Sequence, residues 1–240
     1  AGAHEGKKWI GIAPFAQHQG KIYPLEQMER VIAMLSQMPG VRLFVFGGGA
    51  AEREYGERME EKYGSDRIAV LDTRGASLGE GLVVIETARL AKEGRSLGEL
   101  EDFAKSRCAR MQQFFVVDDL KYLHKGGRIS GGARLAGTLL QVKPILRGNE
   151  EGKIVVYDKV RGKKKALEAL AEIYDKTVDD RGTPIGIAHA DAPADALHLQ
   201  NLLRDRGAEG EITHVCYEPV TGAHVGPGTV ALFFYGKAWR

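Results

Sequence analysis

Two short glycine-bearing runs hold the residues best suited to chemistry. Lys121-Tyr122-Leu123-His124-Lys125-Gly126-Gly127-Arg128-Ile129-Ser130 carries an arginine on its turn, and Thr221-Gly222-Ala223-His224-Val225-Gly226-Pro227-Gly228 carries a histidine. Glycine has no Cβ, so backbone N–H groups at such turns can approach a bound group closely. Two such turns meeting in space make a small anion site, with Arg128 as a forked donor and His224 as a titratable one. Gly127, Ile129, Ser130 and Gly226 border it. An apolar stretch, Leu135-Ala136-Gly137-Thr138-Leu139-Leu140, follows the first turn. A cationic head beside an apolar wall suits a carboxylate with a long hydrocarbon tail. The candidate wall is Leu135, Leu139, Leu140, Phe114, Phe115, Ile129, Phe233 and Phe234, most of which also read as ordinary core. Taken singly, Arg128 is equally a surface arginine on a turn and His224 a ring satisfying a local carbonyl.

Other candidates carry less. Gly47-Gly48-Gly49 follows an apolar run and precedes a charged one, the position of a phosphate cradle at a helix start. It lacks the Gly-Lys-Ser/Thr ending of a P-loop and the Gly-x-Gly-x-x-Gly spacing. Asp118-Asp119 suggests an acid pair or a metal. Neighbouring strand residues point to opposite faces, and no histidine or cysteine stands at useful spacing, so helix capping is the better reading. Residues 159–165 hold five basic side chains, read as a solvated helix start or as a docking face for an acidic partner. No Ser-His-Asp arrangement or cysteine nucleophile stands out. The expectation is a binding protein and not an enzyme, without cofactor or metal.

These residues must be positioned by a fold. With 43% apolar residues over 240 positions, the chain can bury a real core in one or two domains. A net charge of +2 argues against a nucleic-acid partner. No apolar run reaches the roughly 18–20 residues of a membrane span, and no signal-peptide pattern opens the chain. Cys108 and Cys216 lack metal-like spacing and read as buried free thiols, fitting a cytoplasmic location. The start Ala1-Gly2-Ala3-His4, without methionine, reads as a processed end.

The front alternates strand and helix: strands over 9–13, 41–46 and 68–71, with helices from Pro24 to about 38 and over 51–63. This pattern predicts a parallel sheet with right-handed crossovers. Helices are predicted over 78–93, with Leu82, Ile85 and Leu90 on one side, and over 97–111, where Ser96 and Glu99 make a capping box. Then come a strand at 114–117, a hairpin across the loop 148–152, a helix over 163–178, a strand at 185–188, a helix over 194–206, and strands at 212–216 and 230–235.

Several runs together resemble the DegV family. They are Asp72-Thr73-Arg74-Gly75-Ala76-Ser77-Leu78-Gly79-Glu80-Gly81-Leu82, Phe114-Phe115-Val116-Val117-Asp118-Asp119-Leu120-Lys121-Tyr122-Leu123, Gly126-Gly127-Arg128-Ile129-Ser130-Gly131, Val142-Lys143-Pro144-Ile145-Leu146, Ala188-His189-Ala190-Asp191-Ala192-Pro193, and the His224 turn. The resemblance covers about 67–240. It implies non-catalytic binding of a long-chain fatty acid, a ligand that can co-purify with the protein, with Arg128 and His224 at its head group. In an intact member a fatty acid kinase is the partner. The family's Thr-Ser-Gln-Pro loop and Ser-Gly-Thr turn, which add hydroxyls to that site, do not occur here.

The front resembles something else. Trp9-Ile10-Gly11-Ile12-Ala13-Pro14-Phe15-Ala16, Gly20-Lys21-Ile22-Tyr23-Pro24-Leu25 and Val41-Arg42-Leu43-Phe44-Val45-Phe46-Gly47-Gly48-Gly49 are similar to part of glycosyltransferase family 9, the lipopolysaccharide heptosyltransferases. This covers about 8–54 and implies that Gly20, Lys21, Gly47, Gly48 and Gly49 approach a nucleotide diphosphate. The join falls in 50–66. The expectation is an engineered chimera: a Rossmann-like parallel α/β domain over 1–77 (a graft over 1 to about 60 plus a last strand at 67–72), fused to a DegV-type α/β domain with a mixed or antiparallel sheet over 78–240. A recombined fold without activity, or residual ADP binding by the front, are the alternatives.

Overall fold

The computed structural model describes residues 8–12, 23–39, 41–45, 50–63, 69–129, 142–149 and 152–237. The fold is mixed α/β. The chain forms two compact units, Ala1–Arg74 with Val83–Ser106, and Gly75–Leu82 with Arg107–Arg240. Each unit is built from more than one stretch of chain, so the single cut expected after residue 77 does not describe the division.

In the first unit β1 (Lys8–Ile12) leads to α1 (Leu25–Gln37) and β2 (Val41–Val45). The strands pair in parallel, Lys8 against Val41 through Ile12 against Val45. Pro24 caps α1, and its carbonyl accepts from the amides of Gln27 and Met28, each at 2.9 Å. α1 presents Leu25, Met28, Ile32 and Leu35 at helical spacing to a core completed by Ile12, Leu43, Tyr55 and Met59. The last two come from α2 (Ala50–Tyr63), one turn apart. Among the described residues this parallel sheet has two strands, short of a Rossmann-like sheet. The strand expected at 67–72 does not form over 69–72. Side chains hold that segment instead of a ladder. Val70 fills the space over Gly56, where a Cβ would lie 2.6 Å from Val70 Cγ1. The Asp72 carboxylate accepts from Arg53 at 2.9 Å and from the Arg74 amide at 2.9 Å.

Next come α3 (Leu78–Lys92) and α4 (Leu97–Arg110). Leu82 is buried as expected, but Ile85 is exposed and Val83 is buried in its place. The capping box forms. The Ser96 amide donates to Glu99 Oε2 at 2.8 Å, and the Glu99 amide donates back to Ser96 Oγ.

The second unit is organised by six strands. β3 (Met111–Val116) precedes the short α5 (Lys121–Lys125). The hairpin β4 (Val142–Gly148) and β5 (Ile154–Arg161) follows, then α6 (Lys163–Thr177), β6 (Ile185–Ala190), α7 (Pro193–Asp205), β7 (Ile212–Cys216), α8 (Pro219–Val225) and β8 (Thr229–Tyr235). Their order is β5-β4-β3-β8-β6-β7, antiparallel throughout except for β6 beside β7. Strand residues alternate between faces. On one face Phe114, Val116, Val230, Leu232, Phe234, Ile185 and Ile187 pack under α6 and α7, which contribute Leu167, Leu170, Tyr174, Leu199 and Leu203. On the other, Val117 and Leu146 pack with Leu123 and Ile129. Cys108 and Cys216 are free, as expected, but Cys216 is exposed because it ends an edge strand.

Leu170 is fully buried at the centre of the larger core. Leu170→Ala is expected to lower unfolding free energy by about 2–5 kcal/mol, from lost burial plus the cavity left behind. Urea denaturation followed by circular dichroism checks this, and a loss below about 1 kcal/mol would contradict the packing described.

Candidate functional site

The site grows out of the pairing of two central strands. β3 and β8 run antiparallel from Met111 opposite Tyr235 to Val116 opposite Val230. Continuing that register by two pairs puts Asp118 opposite Gly228. A Cβ on Gly228 would collide with the Asp118 carboxylate, so the two are in contact. Beyond this point the chain coils on both sides into α5 and α8, and contacts continue at helical spacing. The ring of Tyr122 lies against Gly226, and the ring of His224 lies against Gly126, each so close that a Cβ on the glycine would overlap it. Asp118, Tyr122 and Gly126 therefore meet Gly228, Gly226 and His224, in antiparallel order, with a glycine in every pair.

The second run is more ordered than its glycines suggest. It was expected to be a turn from Thr221 to Gly228, yet residues up to Val225 are helical. Pro219 stands in the first turn, and the Glu218 carboxylate accepts from the Thr221 amide at 3.0 Å, which together start a helix. Gly226, at φ +80°, ends it. The buried Thr229 hydroxyl lies 3.0 Å from the Val225 carbonyl and 2.9 Å from that of Gly226, satisfying the helix end. His224 thus stands on the last turn of a capped helix.

Arg128 and His224 come together at one residue. Arg128 Nη1 donates to the Gly126 carbonyl at 2.6 Å. Nδ1 of His224 faces the α-carbon of that same Gly126. Gly126 lies in the right-handed region at φ −74°, so the absence of a side chain there serves clearance and not backbone freedom. Arg128 is exposed, with donors left beyond the one used on Gly126; His224 is half-buried. Gly127 holds φ +69° in the connecting turn. Beside these groups lies an apolar floor of Val117, Leu123, Ile129 and Leu146, edged by the half-buried Phe115, Ile154, Val156 and Val225. Of the aromatic residues expected to line an apolar wall, Phe115 faces this floor. Phe114 and Phe234 point to the opposite face and belong to the α6–α7 core, while Phe233 packs near Gly186. Ser130, Leu135, Leu139 and Leu140 lie outside the described residues, as do Gly20, Lys21, Gly47, Gly48 and Gly49.

The two aspartates separate, as strand alternation requires. Asp119 takes the capping role, accepting from the Lys121 amide at 2.8 Å and pairing with its ammonium. Those hydrogen bonds hold its carboxyl below the usual range. Asp118 instead forms an ion cluster with Lys143 at 2.8 Å and Lys163 at 3.2 Å, and Lys163 also reaches Asp195 at 3.6 Å and donates to the Gly228 carbonyl. Partial burial pushes the Asp118 carboxyl up, but hydrogen bonds and charge from Lys143 and Lys163 outweigh it and leave it lowered. So the basic run is not all solvated: Lys163 ties the Gly228 turn to Asp118, while Lys164 and Lys165 are exposed. Among the described residues no group of three or more His, Cys, Asp or Glu is placed to hold a metal, and no helix is long and apolar enough to cross a membrane. Tyr122 and Gly126 were not singled out from the sequence; two glycines before Arg128 were the available signal, and only the register reveals what they clear.

The model of the family described as an uncharacterised protein, DegV family, matches residues 52–237. A DegV domain-containing protein of Clostridium perfringens is 36% identical over 181 residues, which cover 75% of this chain but only 62% of that protein's length. The crystal structure of a fatty acid binding DegV family protein from Streptococcus agalactiae superposes with a TM-score of 0.74 at 33% identity, covering 89% of this chain and 76% of that one. A structure of fatty acid binding by a DegV family protein from Thermus thermophilus gives a TM-score of 0.72 at 26% identity, over 88% and 76% of the two chains. Both of these solved relatives are described as binding fatty acid. The streptococcal likeness is wider than the family model's span, so it runs ahead of residue 52 and across the segment 50–66 expected to hold a join. A front taken from a second family is not needed to account for it.

The ion cluster has a consequence for acid stability. A carboxylate whose folded pKa lies below its unfolded value of about 3.9 stabilises the fold above that pH, and the contribution is lost as pH falls through the folded value. Asp118 is partly exposed, so solvent screens the pair. Asp118→Asn is expected to cost about 1 kcal/mol at pH 7, a fall in Tm of about 2–4 °C. The gap from wild type closes as pH drops below about 4. Thermal melts of both proteins from pH 2.5 to 7 check this, and a gap independent of pH would contradict it.

Proposed function

The chain belongs to the DegV family, and from that premise we propose that it binds a long-chain fatty acid without transforming it. The observation that carries this reading is the meeting at Gly126, whose carbonyl holds Arg128 while its α-carbon faces the His224 ring. In this reading the guanidinium and imidazole take the carboxylate, with the turn backbones at Gly127 and Gly226 beside it. Ile129 and the half-buried Phe115, Val156 and Val225 supply apolar contact to the tail. A buried methylene contributes roughly 0.8 kcal/mol. The tail therefore supplies most of the affinity, and the head group sets orientation and selectivity for an acid over an ester. The fatty acid named for the streptococcal and Thermus relatives supports the choice of ligand. The reading stops at binding; a kinase that would act on the presented acid is a further step.

Native mass spectrometry of the protein purified from bacteria is expected to show a retained mass in the fatty acid range. Titration of delipidated protein with palmitate is expected to give binding that Arg128→Ala weakens roughly tenfold, the loss of one charge-assisted hydrogen-bonding group at an exposed position. An unchanged affinity would remove Arg128 from the site. A folded, empty protein indifferent to palmitate would overturn the reading in favour of a fold without this activity, and a melting shift with ADP alone would favour nucleotide binding by the front.

A further inference from the structure

We propose that Tyr122 is the positioning residue for His224, holding the imidazole in place without itself touching the ligand. The inference rests on the fatty acid reading for its purpose but on the register for its geometry. His224 has no hydrogen-bond partner among the described residues that would fix its ring. What fixes it is the path of the backbone that carries it, and that backbone leaves α8 at Gly226 with φ +80°. The Tyr122 ring covers this glycine so closely that no side chain fits between them.

Tyr122 is well placed to fix that turn. It stands on α5 one helical turn before Gly126, so the helix that presses on Gly226 also supplies the surface against which His224 rests. The neighbouring pairs bracket it. Asp118 and Lys163 hold Gly228 on one side, and Gly126 receives His224 on the other. Tyr122 is the middle contact of three and the only one of them made by an aromatic side chain of α5. It also borders a cleft of about 530 Å³ lined by Asp118, Asp119, Asp191, Pro227 and Gly228 among others. Cutting the side chain back would remove the ring that lies on Gly226 and let the turn shift. The contact is made by ring atoms, Cγ, Cδ2 and Cε2, and not by the hydroxyl. A phenyl ring should therefore serve as well.

The test compares Tyr122→Phe and Tyr122→Ala, each alone and with His224→Ala, by two readouts. The first is the NMR resonances of the His224 ring in ligand-free protein; the second is palmitate affinity. Tyr122→Phe is expected to leave the His224 resonances and the affinity within twofold of wild type. Tyr122→Ala is expected to move the His224 ring resonances and weaken palmitate roughly tenfold, yet to weaken it less than twofold further once His224 is alanine. If Tyr122→Ala melts too early to study, Tyr122→Leu, which keeps apolar volume but not the flat ring, takes its place with the same expectation. Unmoved His224 resonances, or a loss of affinity that adds fully to that of His224→Ala, would overturn the proposal. If wild type ignores palmitate while the resonances still respond to Tyr122→Ala, the positioning role stands and the fatty acid reading falls.

Discussion

The close approach of the segment 118–126 to the segment 224–228 is the constraint on which everything else depends. It is the β3–β8 pairing carried past the end of the sheet. Val116 faces Val230 by ladder hydrogen bonds, and Asp118, Tyr122 and Gly126 then face Gly228, Gly226 and His224. A side chain lies this close to a facing α-carbon only where that residue has no Cβ, which explains a glycine in each pair. The glycines differ in what they supply. Gly226 and Gly228 lie at positive φ and give both conformation and clearance, whereas Gly126 gives clearance alone.

The sheet divides the labour between its faces. One face buries its strand residues under α6 and α7 in the larger core of the second unit. The other carries a smaller cluster, with several side chains left half-buried beside Arg128 and His224. Adjacent residues on β3 belong to different tasks: Phe114 stacks toward Phe234 in the larger core, with ring centroids 6.5 Å apart, while Phe115 turns to the floor of the site. The charged residues follow the same alternation. Asp118 ties the Gly228 turn to α6 through Lys163, and Asp119 caps α5.

Much of this was legible in the residues, and the misses have physical causes. Local signals succeeded: Ser96 with Glu99 capped a helix, the 148–152 loop joined a hairpin, and the helices expected after Pro24, over 163–178 and over 194–206 form as α1, α6 and α7. The pairing of Arg128 with His224 was an expectation from residue type and resemblance, and their common neighbour Gly126 came only with the strand register. Composition misled at 221–225, where two small residues hid a helix begun by Glu218 and Pro219. It misled again at 69–72, where an apolar run suggested a strand but finds its partners through Val70 and Asp72 side chains. Periodicity put Ile85 on the buried side of α3, and Val83 is buried instead. Phe114 and Phe234 belong to the α6–α7 core, and residue type alone does not say which face of a strand is the core.

Gly126→Ala measures the central contact most directly. The residue already has right-handed φ and ψ, so alanine adds only a methyl, and that methyl has no room except where His224 now stands. Palmitate affinity is expected to fall to that of His224→Ala, and the substitution should add nothing further in the His224→Ala background. Full affinity in Gly126→Ala, in a protein that melts like wild type, would contradict the account.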